Sequence, residues 1–277
     1  WKIIKLSINM YEFEILKRSF WSSFITTKFN KNNIVFKYMK YPKTATERFD
    51  KANIWIKYII FQIKKYIKGN TIEIGAGCGS FSREFSKENL DKITLTDPDQ
   101  ENIIELKNNF LNKKNTVISQ KNLDQFNETF DTIIYFNVLE HIEKDDNEIK
   151  LSLSKLNKGG HLIILVPAHQ KLYSNLDKAV GHFRRYDKSY FKKKFDGCDV
   201  VCLKYLDTLG YFLYFLNKLD FKKEVYPTKI KIFIWDKIFT PMTVFVDFIS
   251  GYNFGKNILC VYKKNWFTSF DQSFLQP

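Results

Sequence analysis

Short apolar runs alternate with amphipathic segments through the middle of the chain. Runs of strand length occupy residues 71–74, 92–96, 130–136 and 162–167, and the last of these is wholly apolar. The segments between them carry apolar residues at the spacing of one helix face, which predicts strands and helices in alternation. A strand that helices cover on both faces is expected to be almost continuously apolar. The pattern therefore predicts an α/β fold with a doubly wound, mostly parallel sheet.

The same pattern predicts the other elements in outline. Helices are predicted at residues 46–68, 80–87, 100–111, 144–156 and 189–195, and further strands at 199–205 and 258–262. A Gly-Gly turn at 159–160 is predicted to connect the fourth of these helices to the apolar strand 162–167. Residues 206–250 are unusually rich in aromatic and aliphatic side chains.

A glycine-rich turn follows the first predicted strand. Gly75, Gly77 and Gly79 occupy alternate positions, so the backbone there can turn sharply and lie close to a ligand. A dinucleotide fingerprint needs G-x-G-x-x-G, whereas this run is G-x-G-x-G. Glu73 lies just before the loop, where we expect its carboxylate to face the ligand and to favour an ammonium group over a pyrophosphate. Asp97 ends the next predicted strand, at the distance where a carboxylate accepts hydrogen bonds from ribose hydroxyls.

These motifs together resemble a known family. The E-x-G-x-G-x-G run at 73–79, Asp97 followed by Pro98, and the run 130–142 resemble the class I S-adenosylmethionine methyltransferases, over residues 69 to about 205. The resemblance implies a Rossmann-like seven-stranded sheet with a helical insertion, residues 206–257, between the last two strands. It also implies S-adenosylmethionine as cofactor and S-adenosylhomocysteine as product. The implied cofactor contacts are Glu73, Gly75, Ala76, Gly77, Gly79, Asp97, Pro98, Asn122, Leu123, Asn137 and Leu139.

A second group of motifs follows strand 162–167. Residues 166–169, the pair at 172–173 and residues 181–186 resemble a bacterial group of S-adenosylmethionine methyltransferases found beside glycosyltransferases of surface-polysaccharide biosynthesis. This segment covers the acceptor side of the pocket in class I enzymes, so the resemblance implies a small-molecule or lipid-linked glycan acceptor. The implied acceptor contacts are His169, Arg184, Arg185 and Tyr186.

Two histidines are candidates for catalysis. Methyl transfer is an in-line displacement in which the protein mainly holds the nucleophile and the methyl group at near-attack distance. A base is needed only where the nucleophile must lose a proton, and His141 and His182 are the candidate catalytic residues for that step. Glu140 and His141 could hold a divalent metal together with His169. No further acidic ligand is evident, however, and we expect no metal site.

Length and cysteine content set the expected organisation. The chain has 277 residues, which suits one large α/β domain with additions. We expect an N-terminal extension at residues 1–45, in which residues 1–9 precede a natural start at Met10, and a methyltransferase domain at 46–277. The four cysteines form no C-x-x-C pair, which fits a reduced, cytoplasmic protein at most peripheral to the inner membrane face.

The formal net charge of +14 raises the question of an acidic partner. Arg184, Arg185, Lys188, Lys192, Lys193 and Lys194 form a basic cluster that would suit an acidic substrate, an anionic membrane or a nucleic acid. The tetrapeptide of exocyclic-amine methyltransferases, [D/N/S]-P-P-[F/Y/W], is absent at 137–140, and the chain contains no Pro-Cys. We therefore expect no nucleic-acid partner. An RNA ribose methyltransferase and a non-catalytic S-adenosylmethionine-binding scaffold remain the alternative functions.

The aromatic segment 206–250 needs a cover, because this much apolar surface is not left in water. Its apolar runs are interrupted by charges and none approaches the roughly 20 residues of a transmembrane helix. We expect a cap on the core or a homodimer face, with weak membrane-surface contact as the alternative.

Overall fold

The structure is a computed structural model that describes residues 50–192, 195, 197–218 and 228–266. The expected N-terminal extension, and Lys193 and Lys194 of the basic cluster, lie outside the described residues.

Seven strands form a single mixed sheet, as predicted. They are β1 (Asn70–Ile74), β2 (Lys92–Thr96), β3 (Thr116–Ser119), β4 (Phe130–Phe136), β5 (Leu156–Pro167), β6 (Cys198–Leu206) and β7 (Asn257–Lys264), in the order β3-β2-β1-β4-β5-β7-β6. Only β7 runs antiparallel to its neighbours, β5 and β6. The strand order reverses between β1 and β4, and a ligand crevice forms beyond the carboxyl ends of the strands at such a switch point.

One helix precedes the first strand, and the other helices lie on the connections between strands. They are α1 (Asn53–Ile63), α2 (Ser80–Phe85), α3 (Gln100–Asn109), α4 (Asp145–Lys155), α5 (Asn175–Ala179), α6 (Lys188–Phe191), α7 (Thr208–Lys218), α8 (Lys229–Ile234) and α9 (Thr240–Ile249). Within β5, residues 162–166 are fully buried, which accounts for their wholly apolar sequence. One core cluster joins Ile59 and Ile63 of α1 to Ile163, Leu165 and Val261 of the sheet.

The predicted Gly-Gly turn lies inside β5 instead. Leu156 pairs with Phe130 and His161 pairs with Thr132, so the four residues between them bulge opposite a single residue of β4. Gly159 has a φ of 75°, and a Cβ on Gly160 would lie 2.9 Å from the carbonyl oxygens of both Asn157 and Asp131. Glycines at these positions therefore permit a bulge within a strand, a role that the sequence alone does not distinguish from a turn.

The helical insertion between β6 and β7 is confirmed. Its helices, however, expose their apolar face and bury their polar face, the reverse of a usual surface helix. The inner face from α8 to α9 is mostly polar, with Asp236, Thr243 and Asp247 buried, although Ile232 is buried there too. The outer face carries apolar side chains, among them Phe245 and Phe248, which are 66% and 71% exposed. Globular proteins normally bury the apolar stripe and expose the polar one.

Hydrogen bonds to helix ends account for this polar inner face. Asp236 accepts hydrogen bonds from the N–H groups of Ile54 and Trp55 in the first turn of α1, both at 3.0 Å. Asp247 accepts from the N–H of Thr208, at the start of α7, and from the Tyr58 hydroxyl, both at 2.9 Å. The insertion is thus fastened to the core through carboxylates that satisfy unpaired helix N–H groups.

No helix in the described part of the chain is both long enough and apolar enough to cross a membrane.

Candidate functional site

The glycine loop after β1 leaves open space over its centre. Gly75, Gly77 and Gly79 have φ values of 69°, 58° and 85°, in the left-handed region that favours glycine. A Cβ on Gly75 would lie 2.6 Å from a Val138 methyl carbon, and one on Gly79 would lie 2.6 Å from the Phe110 ring. A Cβ on Gly77 would meet nothing within 4 Å. The outer two glycines therefore close the loop against the protein, and the middle one faces open volume.

Asp97 joins the end of β2 to this loop. One carboxylate oxygen accepts from the Gly77 N–H at 2.9 Å, and the other accepts from the Asp99 N–H at 2.9 Å and from Asn102 Nδ2 at 3.0 Å. Burial raises the pKa of Asp97, although these hydrogen bonds favour the charged form. The oxygen beside Gly77 retains a second acceptor position for a ligand hydroxyl.

Glu73 does not face open space as expected. It is 2% exposed, and its carboxyl group accepts a hydrogen bond from the Ser82 hydroxyl in the first turn of α2. Burial raises the pKa of Glu73 to about 8, although the Ser82 hydrogen bond favours the charged form. The carboxyl group is therefore held beneath the loop and is largely protonated at neutral pH, so an ammonium contact at Glu73 stays a prediction.

This buried acid gives stability a characteristic pH dependence. Its pKa is about 8 in the folded protein against 4.5 for an ordinary glutamate, so the folded state binds the proton more tightly. The stabilisation that the protonated Glu73 gives to the folded state is fully present below pH 4.5. It is lost as the pH rises to 8, and the free energy of unfolding falls by about 1.4 kcal/mol per pH unit over that range. We expect Glu73→Gln, which stays neutral, to lose this slope. Urea denaturation at pH 5, 6.5 and 8 measures the free energy of unfolding of both proteins. The same dependence on pH in the variant and in the wild type would contradict the prediction.

The other predicted cofactor contacts divide into two groups. Ala76 donates its N–H to the Thr96 carbonyl at 2.8 Å, Pro98 is partly exposed beside the loop, and Asn122 caps the short helical turn Leu123–Gln125. Leu123 and Leu139, by contrast, are buried and pack in the core, so neither side chain is presented to a ligand in this structure.

Asn137 occupies a strained position at the carboxyl end of β4. Its φ is 53°, a value uncommon for a residue with a Cβ, and its N–H donates to the Leu165 carbonyl at 2.8 Å. Its side chain is exposed. Such strain clusters at ligand-binding sites, which supports the predicted role of Asn137.

A cluster of three side chains forms just beyond this point. The helical turn Leu139–His141 after β4 carries Glu140 and His141 to His182, which lies in the segment after α5. The two imidazole rings lie 4.7 Å apart, edge to face, and Glu140 Oε1 is 3.8 Å from His182 Nε2. The two histidines predicted to be catalytic are thus neighbours, and Glu140 completes the group.

Asp177 orients His182 within the cluster. Its Oδ1 lies 2.8 Å from His182 Nδ1 and also 2.8 Å from Arg185 Nε. Burial would raise the pKa of Asp177, but hydrogen bonds from His182 and Arg185 outweigh it and hold that pKa well below its usual range. An ionised Asp177 can only accept, so His182 Nδ1 carries a proton and Nε2 is turned toward Glu140.

Glu140 is a buried carboxyl group without a hydrogen-bond partner for its side chain. It is 1% exposed, and neither carboxylate oxygen has a partner among the described residues. Burial raises the pKa of Glu140 to about 7, even though the nearby His182 favours the charged form. Burial also lowers the pKa of His141 to about 3, and His182 adds to this effect. An uncompensated buried carboxylate is costly and calls for a bound group to satisfy it.

Two of the predicted acceptor contacts are buried supports instead. Arg185 is buried, donates to Asp177 and donates from Nη2 to the Tyr214 hydroxyl at 3.1 Å. Tyr186 is buried too, and its hydroxyl lies 2.8 Å from Asp145 Oδ2 and 3.0 Å from the Leu139 carbonyl. Neither side chain is presented to open space in this structure, so acceptor contacts through Arg185 and Tyr186 stay predictions.

Arg184 and His169 are also engaged by the protein. Arg184 Nη1 is 2.5 Å from Asp145 Oδ1, and its side chain is 31% exposed. His169 Nε2 lies 3.0 Å from the Gly255 carbonyl, and its ring stacks on Tyr205 at 4.7 Å. His169 therefore belongs to a separate group and is not the third member of the Glu140 cluster. A contact between Arg184 and the acceptor stays a prediction, and only the exposed part of this side chain could make it.

Asp177 and Tyr214 are site residues that the sequence analysis missed. Asp177 forms a capping box with Ser174 at the start of α5, and S-x-x-D is a sequence signature of a helix start. That signal predicts a cap, but the contact with His182 depends on how the segment folds back. The aromatic run that contains Tyr214 gives no sign that its hydroxyl reaches Arg185.

Comparison with known proteins decides the family. Residues 46–199, more than half of the chain, match a family described as a methyltransferase domain. The chain belongs to this methyltransferase family. No curated protein matches this methyltransferase in sequence.

Solved structures share the fold of this methyltransferase at low sequence identity. A Haloferax volcanii methyltransferase solved with the Trm112 activator has a TM-score of 0.55 and 12% identity, over 80% of this chain and 96% of its own. The N-methyltransferase NodS of Bradyrhizobium japonicum, solved with S-adenosylhomocysteine, has a TM-score of 0.51 and 13% identity, over 82% and 92%. Coclaurine N-methyltransferase, bound to N-methylheliamine and S-adenosylhomocysteine, has a TM-score of 0.50 and 16% identity, over 82% and 75%.

The cofactor of this methyltransferase is S-adenosylmethionine. The residues fit it, because the loop is open at Gly77 and Asp97 keeps an acceptor position beside that opening. The glycine loop would hold the amino-acid part of the cofactor and Asp97 its ribose hydroxyls.

Proposed function

We propose that this methyltransferase methylates a small-molecule acceptor and that Glu140, His141 and His182 form the centre that receives the acceptor and its proton. The observation that carries the proposal is the His182 imidazole, fixed by Asp177 with Nε2 turned toward a buried, unpartnered Glu140. The cluster follows β4, at the end of the sheet where ligands bind in such folds. NodS and coclaurine N-methyltransferase, which share the fold, are N-methyltransferases.

The chemistry of methyl transfer gives the cofactor-binding residues and the acceptor-binding residues different roles. When bound, S-adenosylmethionine supplies an electrophilic methyl group. The glycine loop and Asp97 hold the cofactor, and the residues after β4 hold the acceptor atom in line with it.

An acceptor screen tests this function directly. Purified full-length protein is incubated with labelled S-adenosylmethionine and panels of amine, hydroxyl, sugar and lipid-linked sugar acceptors. We expect label transfer to one acceptor class. Absence of transfer to every class, from protein that binds S-adenosylhomocysteine, would contradict the proposal.

Within this function, a lipid-linked glycan is the finer proposal for the acceptor. The supporting feature is the outward apolar face of α8 and α9, flanked by exposed lysines such as Lys229 and Lys231. An apolar stripe bordered by lysines is typical of helices that lie in a membrane interface. The insertion also adjoins the acceptor centre, because Tyr214 of α7 contacts Arg185, which holds Asp177.

We expect this face to bind anionic vesicles. Replacing both Phe245 and Phe248 with serine removes side chains whose burial contributes about 1.5–3 kcal/mol each, so vesicle affinity should fall at least about tenfold. Co-sedimentation with phosphatidylglycerol vesicles at low and high salt measures this, since the lysine contribution is screened by salt. Phe61→Ser is the matched control, because Phe61 is 65% exposed on α1. A dimer by light scattering that the double variant dissociates, without vesicle binding, would contradict a lipid partner and favour a second copy.

A further inference from the structure

We infer that Glu140, His141 and His182 bind a divalent cation of the zinc type. Each of the three side chains offers one ligand atom, and these atoms all lie within 4.8 Å of one another. The Glu140 Oε1 to His182 Nε2 distance of 3.8 Å is near the roughly 3.4 Å that separates two tetrahedral ligands of zinc at their usual bond lengths. The sequence predicts no metal site, because no acidic ligand beyond Glu140 is evident beside His141 and His169, whereas the fold brings His182 to Glu140 and His141.

The buried Glu140 carboxyl group is the first independent support. Both of its oxygens are buried and lack a hydrogen-bond partner among the described residues. Native proteins rarely leave such a group unsatisfied, and a bound ion is one of the few explanations. A cation between Glu140 and the two imidazoles would satisfy it.

The contacts behind His182 are the second support. Histidines that bind metals almost always donate their other ring N–H to a carboxylate or carbonyl, which fixes the tautomer and the ring. His182 donates from Nδ1 to Asp177 at 2.8 Å, and Asp177 is held in turn by Arg185. The Nε2 atom is therefore directed into the cluster.

The backbone keeps the two ligand-bearing segments together. The Phe183 N–H donates to the Glu140 carbonyl at 2.8 Å, and the Tyr186 hydroxyl reaches the Leu139 carbonyl at 3.0 Å. These bonds tie the turn after β4 to the segment that carries His182. The ligand set is thus assembled before any ion binds, which favours affinity.

The side chains that would bind the ion indicate which class of ion it is and what role it would have. Two imidazoles with one carboxylate form a known ligand set of catalytic zinc, which leaves a fourth position open, whereas magnesium and calcium prefer oxygen ligands. Methyl transfer needs no electron transfer, so a redox-inactive ion suffices. Resting on the proposed function, we assign the open position to an acceptor oxygen or nitrogen. A bound cation would lower the pKa of that atom, and its proton would pass to solvent water.

Metal binding can be measured without turnover. Full-length protein is freed of metal with a chelator and titrated with Co²⁺, followed by its visible absorption, and with Zn²⁺, followed by calorimetry. We expect one equivalent of each ion and a Co²⁺ spectrum of low coordination number. Glu140→Gln and His182→Asn should abolish the spectrum, and Asp177→Asn should weaken binding by about 10–100-fold. His161→Gln, a histidine outside the cluster, should bind as the wild type does.

Binding of S-adenosylhomocysteine shows that each variant is folded. A wild-type protein with no Co²⁺ or Zn²⁺ binding would overturn the inference, as would wild-type binding in both Glu140→Gln and His182→Asn. Full methyl transfer after removal of metal by the chelator would overturn the inferred metal site and leave the proposed function intact. Stoichiometric metal binding with no transfer to any acceptor would support the site and contradict the proposed function.

Discussion

Replacing His182 with alanine should lower kcat for methyl transfer by about 10²–10⁴-fold, the range that a positioned acid or base contributes. His182 lies between Asp177 and Glu140 and borders His141, so its loss removes the centre of the cluster. The cofactor loop takes no contact from this ring in the described contacts, so we expect the affinity for S-adenosylhomocysteine to be unchanged. Single-turnover transfer from labelled S-adenosylmethionine, with calorimetry of the product, measures both quantities.

Two control variants separate a site effect from a folding effect. His161→Gln replaces a buried histidine of β5 that lies outside the cluster, and it should retain kcat. Asp177→Asn should lower kcat less than His182→Ala does, because it only releases the imidazole from its orienting partner. Wild-type kcat in His182→Ala would remove this residue from the mechanism.

Replacing Asp97 with alanine should weaken S-adenosylhomocysteine binding by about 1–3 kcal/mol, the cost of leaving buried polar partners unmet. The carboxylate holds the Gly77 N–H at the open centre of the glycine loop, so its loss affects the ligand hydroxyls and the loop itself. By the usual conversion, this corresponds to about a 5–150-fold rise in Kd. Calorimetry at one ionic strength gives the value.

Asp99→Ala is the matched control for this variant. Asp99 is a neighbouring carboxylate that caps α3 by accepting from the Glu101 N–H at 2.8 Å. Its removal should cost about 1 kcal/mol of stability, as for other helix caps, without a change in Kd. Equal Kd values for Asp97→Ala and the wild type would show that Asp97 is not a cofactor ligand.

The apolar pattern predicted most of the sheet because its central strands are covered on both faces. Residues 162–166 had to be apolar throughout, and they are fully buried. The strand Thr116–Ser119 was not located, because it is short and only partly buried and so lacks a continuous apolar run. The sequence predicts a turn at Gly159–Gly160, where the structure has a bulge, because glycine signals an unusual φ and not the element that contains it.

The candidate site was predictable in position but not in the direction of its side chains. Asp97 and His141 follow the carboxyl ends of β2 and β4, as the motifs predict, and His182 lies beside His141. The motif predicts that Arg185 and Tyr186 face the acceptor, yet in the structure their side chains turn inward and contact Asp177 and Asp145. A motif fixes where the backbone runs, whereas long-range partners decide which way each side chain points.

The orientation of the insertion helices likewise could not be predicted from the sequence. A helix with an apolar stripe is normally placed with that stripe against the core. Asp236 and Asp247 reverse this expectation, because they satisfy helix N–H groups of α1 and α7 in the interior. Only the three-dimensional partners reveal that the aromatic face is left outside.

Titration calorimetry of the full-length protein with S-adenosylhomocysteine and with NAD tests the central claim most directly. The open glycine loop and the acceptor position on Asp97 lead us to expect micromolar binding of S-adenosylhomocysteine, with no heat of binding for NAD. Binding of NAD without binding of S-adenosylhomocysteine would contradict the account.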